Sequence, residues 1–582
     1  MGTISDKLMR IINTKEDIRQ ALISKGYDVP TSIPFKEYAK MILDLPCKVD
    51  SFPDIEGIVA RYSASGLTNE QMAANPVWVD KTGNGHDLQM KNFAWGGMSG
   101  VGGYEMNFNL WTNNVPSIPD ISMSTTTTSV SVSVGNSTYN NNLIYIHMNN
   151  WDINKNHWLK VTSTYEDGDL VFKFYNDNNS KNIELPANGY VNIPAYPEFK
   201  GNYMYISTTS NKQGSFTIEQ PPLYPGALVF DGVDDYGTCD NFPILTKEKG
   251  YTVVALRQWD QDFLNTTLTG GLLSTRNYST GEGVAFEKIE SSNKGYWNLG
   301  AGGIIDFAKS PFTWQTSKQY NNVGILKGDK NHGKPLCVGC GLSGGQQCGR
   351  FAIWELVFLD HDATEEELTK IKDYFVKTYP WLFPDQAWTV TGKTNEDEDR
   401  ATIANITGNG NDLVLSNFGF AEGSGYNEEG EYAGYLVTDG VDDKIISSIF
   451  KMGNDWTVIG DWELINTGKN DNAGIVKFDS IVIYNYNYNS MLINIKNGRN
   501  ILIPDQNTVN AICSDGRIYS KDWKESIYNE ETESTSKNFL TIGYSGNAYT
   551  KIAFKNLAIY PTVLSREDCI KAYNYLQTLK AK

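Results

Sequence analysis

Histidine and cysteine are scarce in this 582-residue sequence, and it contains no stretch of 18 apolar residues. Without such a stretch we expect no membrane-spanning helix and no membrane partner. None of the five histidines lies in a nucleophile-elbow or metalloprotease pattern, which argues against those two kinds of catalysis. The first residues lack the apolar core of a signal peptide, so we expect a chain made in a cytoplasm and kept there or released by lysis.

Positive charge is also in deficit, with 50 Lys and Arg against 68 Asp and Glu, a net charge of −18. Binding to nucleic acid needs clustered Lys and Arg, so nucleic acid is not an expected partner. The seven cysteines, an odd number, agree with a reducing origin. The low charged fraction, 20%, together with 33 Tyr and 53 Gly, is typical of β-rich extracellular or virion proteins.

The sequence does contain a long repeat. Residues 82–93, Thr-Gly-Asn-Gly-His-Asp-Leu-Gln-Met-Lys-Asn-Phe, return at 407–418 with eight of twelve positions identical. A second match, Asp-Gly-Val-Asp-Asp, starts at Asp231 and again at Asp439. The offset between the copies falls from 325 to 208 residues, so the first copy holds about 117 residues that the second lacks. A duplicated module with one insertion explains this pattern.

The overlay predicts the organisation of the chain. Residues 1–48 form a short helical unit for attachment or oligomerisation, residues 49–380 a first module, and residues 381–582 a second. An inserted β domain occupies about 111–222 of the first module. Alternating apolar residues indicate half-buried strands, so the fold class is mainly β.

Local signals place several turns and helix starts. Asn497-Gly498 predicts a type I′ hairpin turn, and Asp167-Gly168 predicts a second hairpin between two apolar runs. Thr364 and Ser565 have the properties of helix N-caps, each with an acidic residue three positions on. Each module is therefore predicted to be a β-sandwich with a closing helix.

The run Leu228–Tyr236, the later strand Phe351–Phe358 and the acidic helix start resemble concanavalin-type, laminin-G-like jelly rolls. The implied fold is two jelly-roll sandwiches, one carrying a small inserted β-sandwich, behind an N-terminal helical unit. Residues 4–39, with Asn13-Thr-Lys-Glu-Asp-Ile18, resemble the start of tail and fibre proteins of gut bacteriophages, including crAss-like phages that infect Bacteroides-type hosts. That resemblance implies a virion protein assembled in the host cytoplasm.

Two groups of carboxylates occupy matching positions in the copies. Asp234 and Asp235 answer Asp442 and Asp443, and some laminin-G-like domains bind calcium through several oxygen ligands. The alternative is a tight Asp-Gly turn whose side chains accept hydrogen bonds from the local backbone. Neighbouring acids in one turn do not face each other across a sugar as a glycosidase pair must. No cofactor is expected apart from this calcium.

Cys337, Cys340 and Cys348 raise the question of a zinc site. A second cysteine pair does not follow, and the other copy has Thr541 and Tyr544 at the first two positions. We therefore expect packing thiols, with a metal site as the alternative.

Aromatic residues are the remaining candidates for binding. Tyr484, Tyr486 and Tyr488 alternate along one strand, so they share a face that is either a glycan platform or packed. We expect a protein that is not an enzyme, a tail- or head-fibre-type appendage that adheres to host surface glycan. Its N-terminal helices would bind other virion proteins, as a homo-oligomer. The alternatives are a carbohydrate-active enzyme and a purely architectural component.

Overall fold

The computed structural model describes Lys15 and, with gaps, residues 52–581; the longest gaps are 307–335 and 528–539. Lys15 is helical, and the rest of the predicted N-terminal helical unit lies outside the described residues. Residues 55–582 belong to one compact unit. The fold is mainly β, as expected. The predicted boundaries at 48 and 380 stay predictions.

The first module is built from strands on both sides of the insertion. Its strands are Ile58–Ser63, Val77–Trp78, Leu88–Lys91, Gly100–Val101, Leu228–Asp231, Tyr236–Cys239, Thr252–Trp259, Gly270–Ser274, Ala285–Lys288, Lys294–Trp297, Ile304–Asp306, Leu336–Val338, Cys340–Leu342, Gln346–Cys348 and Arg350–Leu359. Its helices are Asn69–Ala74, Gln261–Leu264 and the first closing helix, Glu365–Thr378, followed by a 3₁₀ turn, Pro380–Leu382.

The second module repeats this order without the insertion. Its strands are Gln386–Thr389, Thr402–Ile403, Leu413–Ser416, Gly425–Tyr426, Leu436–Val437, Lys444–Ser447, Thr457–Leu464, Gly474–Phe478, Ile481–Asn487, Ser490–Ile495, Arg499–Ile503, Val509–Cys513, Arg517–Ser520, Glu525–Ile527, Leu540–Ile542, Tyr544–Ser545, Ala548–Tyr549 and Ile552–Tyr560. The second closing helix is Arg566–Leu576.

Each module has its own sheet with the same central pairing of strands. In the first, the long strand Arg350–Leu359 lies between Ile58–Ser63 and Thr252–Trp259, antiparallel to both. In the second, Ile552–Tyr560 pairs in the same way with Gln386–Thr389 and Thr457–Leu464. Each long strand also pairs with one further strand, Leu228–Asp231 in the first module and Leu436–Val437 in the second. The two sheets therefore have the same arrangement.

A second sheet faces this one in each module, and the core lies between them. In the second module Leu413 and Ile445 from one sheet meet Trp388, Trp462 and Phe554 from the other, all almost fully buried. Burying a large apolar side chain contributes roughly 1.5–3 kcal/mol, so these contacts supply much of the sandwich's stability. The alternation of buried and exposed residues that the sequence shows follows from this packing.

The repeated sequence segment forms the same turn in both copies. Asp80 N donates to Asp87 Oδ1 and Asn405 N to Asp412 Oδ1, both at 2.8 Å. The side-chain amides of Asn84 and Asn409, within the repeated Thr-Gly-Asn-Gly, donate to backbone carbonyls at 2.9 and 2.8 Å. Because glycines flank both asparagines at positive φ, the turn needs its Gly-Asn-Gly sequence.

The inserted residues form two sheets of their own. One contains Ile121–Thr125, Ser129–Val134, His157–Ser163, Asn188–Ile193 and Gly214–Glu219, and the other Leu143–Ile144, Leu170–Tyr175, Ser180–Leu185 and Tyr203–Thr208. Trp111–Asn113 pairs separately with Ile146–Met148 after a 3₁₀ turn, Phe108–Leu110. Side chains such as Trp111, Phe172 and Phe216 fill the space between the sheets.

The predicted hairpin at Asp167-Gly168 is wrong. Strands His157–Ser163 and Leu170–Tyr175 lie in different sheets, so the chain crosses the sandwich here. Tyr165 is buried before the crossing, and Asp167 Oδ1 accepts the backbone N–H of Ala187 at 2.7 Å. The Asp-Gly pair therefore makes a turn, as predicted, but both flanking strands are apolar enough to be core strands of separate sheets. The other predicted hairpin, Ser490–Ile495 with Arg499–Ile503, is confirmed by its pairing.

Both predicted helix starts are confirmed. Thr364 Oγ1 accepts the N–H of Glu367, whose carboxylate accepts the N–H of Thr364, a complete capping box. Ser565 Oγ accepts the N–H of Asp568 at 3.1 Å. No helix among the described residues is long and apolar enough to cross a membrane.

Candidate functional site

The predicted calcium residues lie in two matching turns that use their acids as backbone acceptors. Asp231 Oδ1 accepts the N–H of Val233, and Asp235 Oδ2 accepts the N–H of Asp231, at 2.7 and 3.0 Å. In the second module the pairs Asp439–Val441 and Asp443–Asp439 repeat these contacts at 2.7 and 2.8 Å. Asp234 and Asp442 are exposed at the tips.

The inner carboxyl of each turn is fully buried. Burial raises the pKa of Asp235 to about 7, with a further contribution from the negative charge of Asp231, while the Ser99 hydroxyl lowers it. Burial raises the pKa of Asp443 to about 6. Carboxylate oxygens of the three acids in each turn lie within 4.8 Å of one another, a spacing that a cation would accept. The hydrogen bonds are those of the tight Asp-Gly turn that was the alternative, and calcium binding stays a prediction.

The loop before each turn is fixed by a repeated asparagine. Asn69 accepts from Val101 N at 2.7 Å and donates to Val101 O at 3.1 Å. Asn395 makes both contacts with Tyr426, each at 2.8 Å. The two modules are therefore equivalent in their loops as well as in their strands. A position where one module has a charged residue and the other an apolar one is then a candidate for a function specific to one module.

The predicted tyrosine face falls largely outside the described residues. Tyr484 and Tyr486 belong to the strand Ile481–Asn487, but their side chains are not among the parts described, and Tyr488 lies outside as well. The glycan platform on these residues stays a prediction.

The prediction of packing thiols is wrong for two of the three cysteines. Cys337 and Cys340 form a disulfide with their Cα atoms 6.3 Å apart. Gly339 between them has a φ of 97°, which turns the chain back so that the two side chains meet. Cys348 is buried opposite Cys340 and lies outside this disulfide. With two sulfurs bonded to each other, this group is not a zinc site.

A cleft of about 610 Å³ lies where the first module, the insert and the second module meet, and we call it the three-part cleft. The second closing helix forms one wall. Its Tyr573 packs against Trp158 of the insert with ring centroids 5.0 Å apart. Two residues on, Tyr575 contacts Trp354 of the first module edge-on at 6.1 Å. The helix thus holds the three parts around the cleft.

Asp461 is the central polar residue of this cleft. Its Oδ1 accepts the hydroxyl of Tyr435 at 3.0 Å, and its Oδ2 accepts Nε2 of Gln577 at 3.1 Å. Lys555 Nζ donates to Oε1 of the same Gln577 at 2.9 Å and lies 5.6 Å from the Tyr435 ring centroid. Burial, followed by the nearby Asp461 charge, raises the pKa of Tyr435 and Tyr573 well above the usual value, so both hydroxyls stay protonated.

The backbone explains why Asp461 reaches the cleft. The strand Thr457–Leu464 has a β-bulge between Asp461 and Trp462. Such bulges re-aim side chains and are common beside functional sites. The first module has a bulge at the same place, between Leu256 and Arg257, and Leu256 is fully buried. The fold therefore accepts leucine where the second module has a carboxylate.

Further charges lie at the other side of the cleft. Arg350 Nε lies 3.6 Å from Asp260 Oδ2, and Lys580 pairs with Asp262. Glu105 is exposed on the same lining. Aromatic rings beside planar carboxylate and amide groups, in a cleft of this size, form the combination that small polar ligands with apolar faces require.

The geometry defines a β-sandwich protein with an interdomain cleft, and solved structures with similar folds exist. No protein-family model matches the chain, and neither does any curated protein. The Trypanosoma rangeli sialidase in complex with sialic acid is 9% identical, with 78% of this chain and 83% of that chain covered and a TM-score of 0.25. The botulinum neurotoxin type G receptor binding domain is 11% identical over 33% of this chain and 50% of that chain, with a TM-score of 0.21.

A third similar structure is the botulinum neurotoxin serotype D ligand binding domain in complex with N-acetylneuraminic acid, 10% identical over 58% of this chain and 87% of that chain, with a TM-score of 0.22. At these values the likeness extends to the β-rich fold alone. The expectation that the chain is not an enzyme is wrong: the similar structures include sialidases, which are enzymes. Jelly-roll and related folds host both catalysis and binding, so the fold could not support that exclusion.

Sequence reasoning missed the three-part cleft because its walls come from distant parts of the chain. One signal was present. The overlay that aligns Tyr251 with Trp456 also aligns Leu256 with Asp461, a charged residue in place of an apolar one on a core strand.

Proposed function

We propose that this protein binds glycan in the three-part cleft. The observation that carries the proposal is the group formed by Asp461, Tyr435 and Gln577 beside the half-buried Trp158. Sugars present apolar ring faces to aromatic side chains and hydroxyls to carboxylates and amides. The cleft volume, about 610 Å³, suits one or two sugar rings, since ligand sites typically measure roughly 300–1,000 Å³.

The arrangement of Asp461 supports a binding role over a structural one. The hydroxyls of Tyr435 and Tyr573 and the Gln577 amide already hold its oxygens in place, and a carboxylate has about four lone-pair sites. Acceptor capacity therefore remains for a sugar hydroxyl. The fixed geometry lowers the entropy that binding would otherwise cost.

The test is binding to a glycan array, followed by calorimetry on the strongest glycan. Asp461→Leu installs the residue that the first module has at this place, and we expect at least tenfold weaker binding. Asp240→Asn, an exposed acid outside the cleft, is the control and should bind as the unaltered protein does. Equal affinity of Asp461→Leu and the unaltered protein would remove the cleft from the proposal.

We also propose that the protein is a virion appendage whose residues 1–48 attach it to other virion proteins as a homo-oligomer. The support is the resemblance of those residues to gut bacteriophage tail and fibre proteins. Many copies would raise the effective concentration of weak glycan sites on the host surface. Mass spectrometry of purified particles tests this, and absence of the chain from them would end the proposal.

A further inference from the structure

We propose that the three-part cleft selects neutral or amino sugars and rejects sialic acids and other carboxylated sugars. This inference rests on the proposed function and concerns the ligand class of the same cleft. It starts from the charges of the lining. Five carboxylates face three cations, a net charge of −2: Glu105, Asp260, Asp262, Glu428 and Asp461 against Arg350, Lys555 and Lys580.

Two of the three cations, Lys555 and Lys580, are held by hydrogen bonds of the protein, and the third, Arg350, lies beside a carboxylate. Lys580 pairs with Asp262, and Arg350 lies 3.6 Å from Asp260. Lys555 donates to Gln577 Oε1 at 2.9 Å and faces the Tyr435 ring. A carboxylated sugar would have to displace one of the lysine contacts, or compete with Asp260 for Arg350, to gain a cation. Bidentate recognition of a carboxylate relies on arginine, and Arg350 in this lining already faces the Asp260 carboxylate.

The carboxylates on the second-module side are not neutralised in this way. Within the described part of the chain, no cation lies within ion-pair distance of Glu428 or Asp461, and Arg350 and Lys580 of the lining pair with Asp260 and Asp262. The partners of Asp461 are the hydroxyls of Tyr435 and Tyr573 and the Gln577 amide, all neutral donors. No cation among the described residues forms an ion pair with this carboxylate, which can accept from a sugar hydroxyl or a sugar ammonium and opposes a second carboxylate.

The comparison of the modules argues that this charge serves a ligand. Leu256 occupies the equivalent bulge position in the first module and is fully buried. A carboxylate beside an aromatic cluster costs desolvation free energy, and the fold does not require it at this position. A ligand that donates hydrogen bonds or carries positive charge offsets that cost.

The test uses an array on which each neutral oligosaccharide has a sialylated and an amino-sugar counterpart, probed at low and high salt. We expect neutral or amino-sugar forms to bind at least tenfold more tightly than the sialylated form. Asp461→Asn keeps the shape of the side chain and removes its charge, and it should reduce that preference several-fold. Asp240→Asn should leave the preference unchanged.

Three results would count against the inference, and they are distinguishable. Sialylated glycans that bind as tightly as their neutral counterparts, or more tightly, would refute the charge selection and leave the proposed function in place. Failure of the folded protein to bind any glycan on the array would refute the proposed function, and the inference with it. An unchanged preference in Asp461→Asn would show that Asp461 is not its source.

Discussion

Breaking the buried ion pair between Arg61 and Glu355 tests how the first module is held together. Arg61 Nε and Nη2 donate to the two oxygens of Glu355 at 3.1 and 3.2 Å. Tyr374 OH accepts from Arg61 Nη2 at 2.8 Å, and Tyr379 OH donates to Glu355 at 2.7 Å. Burial raises the pKa of Glu355 while Arg61 lowers it. All of these groups lie between the sheet and the first closing helix or the turn after it.

Glu355→Gln leaves the Arg61 charge buried without its counter-charge. Arg61 is 4% exposed, so water does not replace the lost partner. Removing one member of a buried pair costs ~3–5 kcal/mol. At ~1.4 kcal/mol per factor of ten, amide exchange in the strands Ile58–Ser63 and Arg350–Leu359 should accelerate by at least ~100-fold.

Hydrogen exchange measured by mass spectrometry gives the exchange rates of these strands, and the second module supplies an internal reference. The strand Ile552–Tyr560 has the same topology and no such ion pair, so its exchange should not change. The double variant Arg61→Met with Glu355→Gln removes both charges and keeps an acceptor for Tyr379. It should be less destabilised than Glu355→Gln alone. A double variant that exchanges as fast as the single variant, or faster, would refute the reasoning.

Three further predictions follow from named contacts. The pKa of Asp235 is raised to about 7 in the folded protein, so between about pH 4 and 7 the folded state holds a proton that the unfolded chain has lost. Stability should therefore fall as the pH rises from about 4 to 7. Asp235→Asn should flatten this part of the profile of melting temperature against pH. Trp158→Ala removes the contact with Tyr573 and should make the insert more sensitive to limited proteolysis while its own core stays folded. Asn69→Ala and Asn395→Ala each remove two hydrogen bonds, so each should cost ~1–3 kcal/mol in chemical denaturation, and a large effect in only one module would contradict their equivalence.

The fold class could be predicted because its signals are local and occur twice. The Thr-Gly-Asn-Gly turns, the Asp-Gly-Val-Asp-Asp turns and the two N-caps each depend on a few neighbouring residues. The Asp167-Gly168 crossing could not be told from a hairpin, because the same turn residues serve both and the choice depends on which sheet buries each strand. The Cys337–Cys340 disulfide depends on the positive φ of Gly339, which spacing alone does not reveal.

The candidate site is less accessible to sequence reasoning. Trp158, Asp461 and Tyr573 are separated by more than 100 residues each, and only tertiary packing brings them together. The overlay does mark Asp461 as a position where the copies differ. It cannot show that the insert, present in one copy alone, supplies the opposite wall of the cleft.

A structure of the protein with a glycan chosen from the array tests the central claim most directly. The account predicts a sugar ring in the three-part cleft, with its hydroxyls or amino group hydrogen-bonded to Asp461. A sugar bound elsewhere, for example on the strand Ile481–Asn487, with the cleft unchanged, would contradict it.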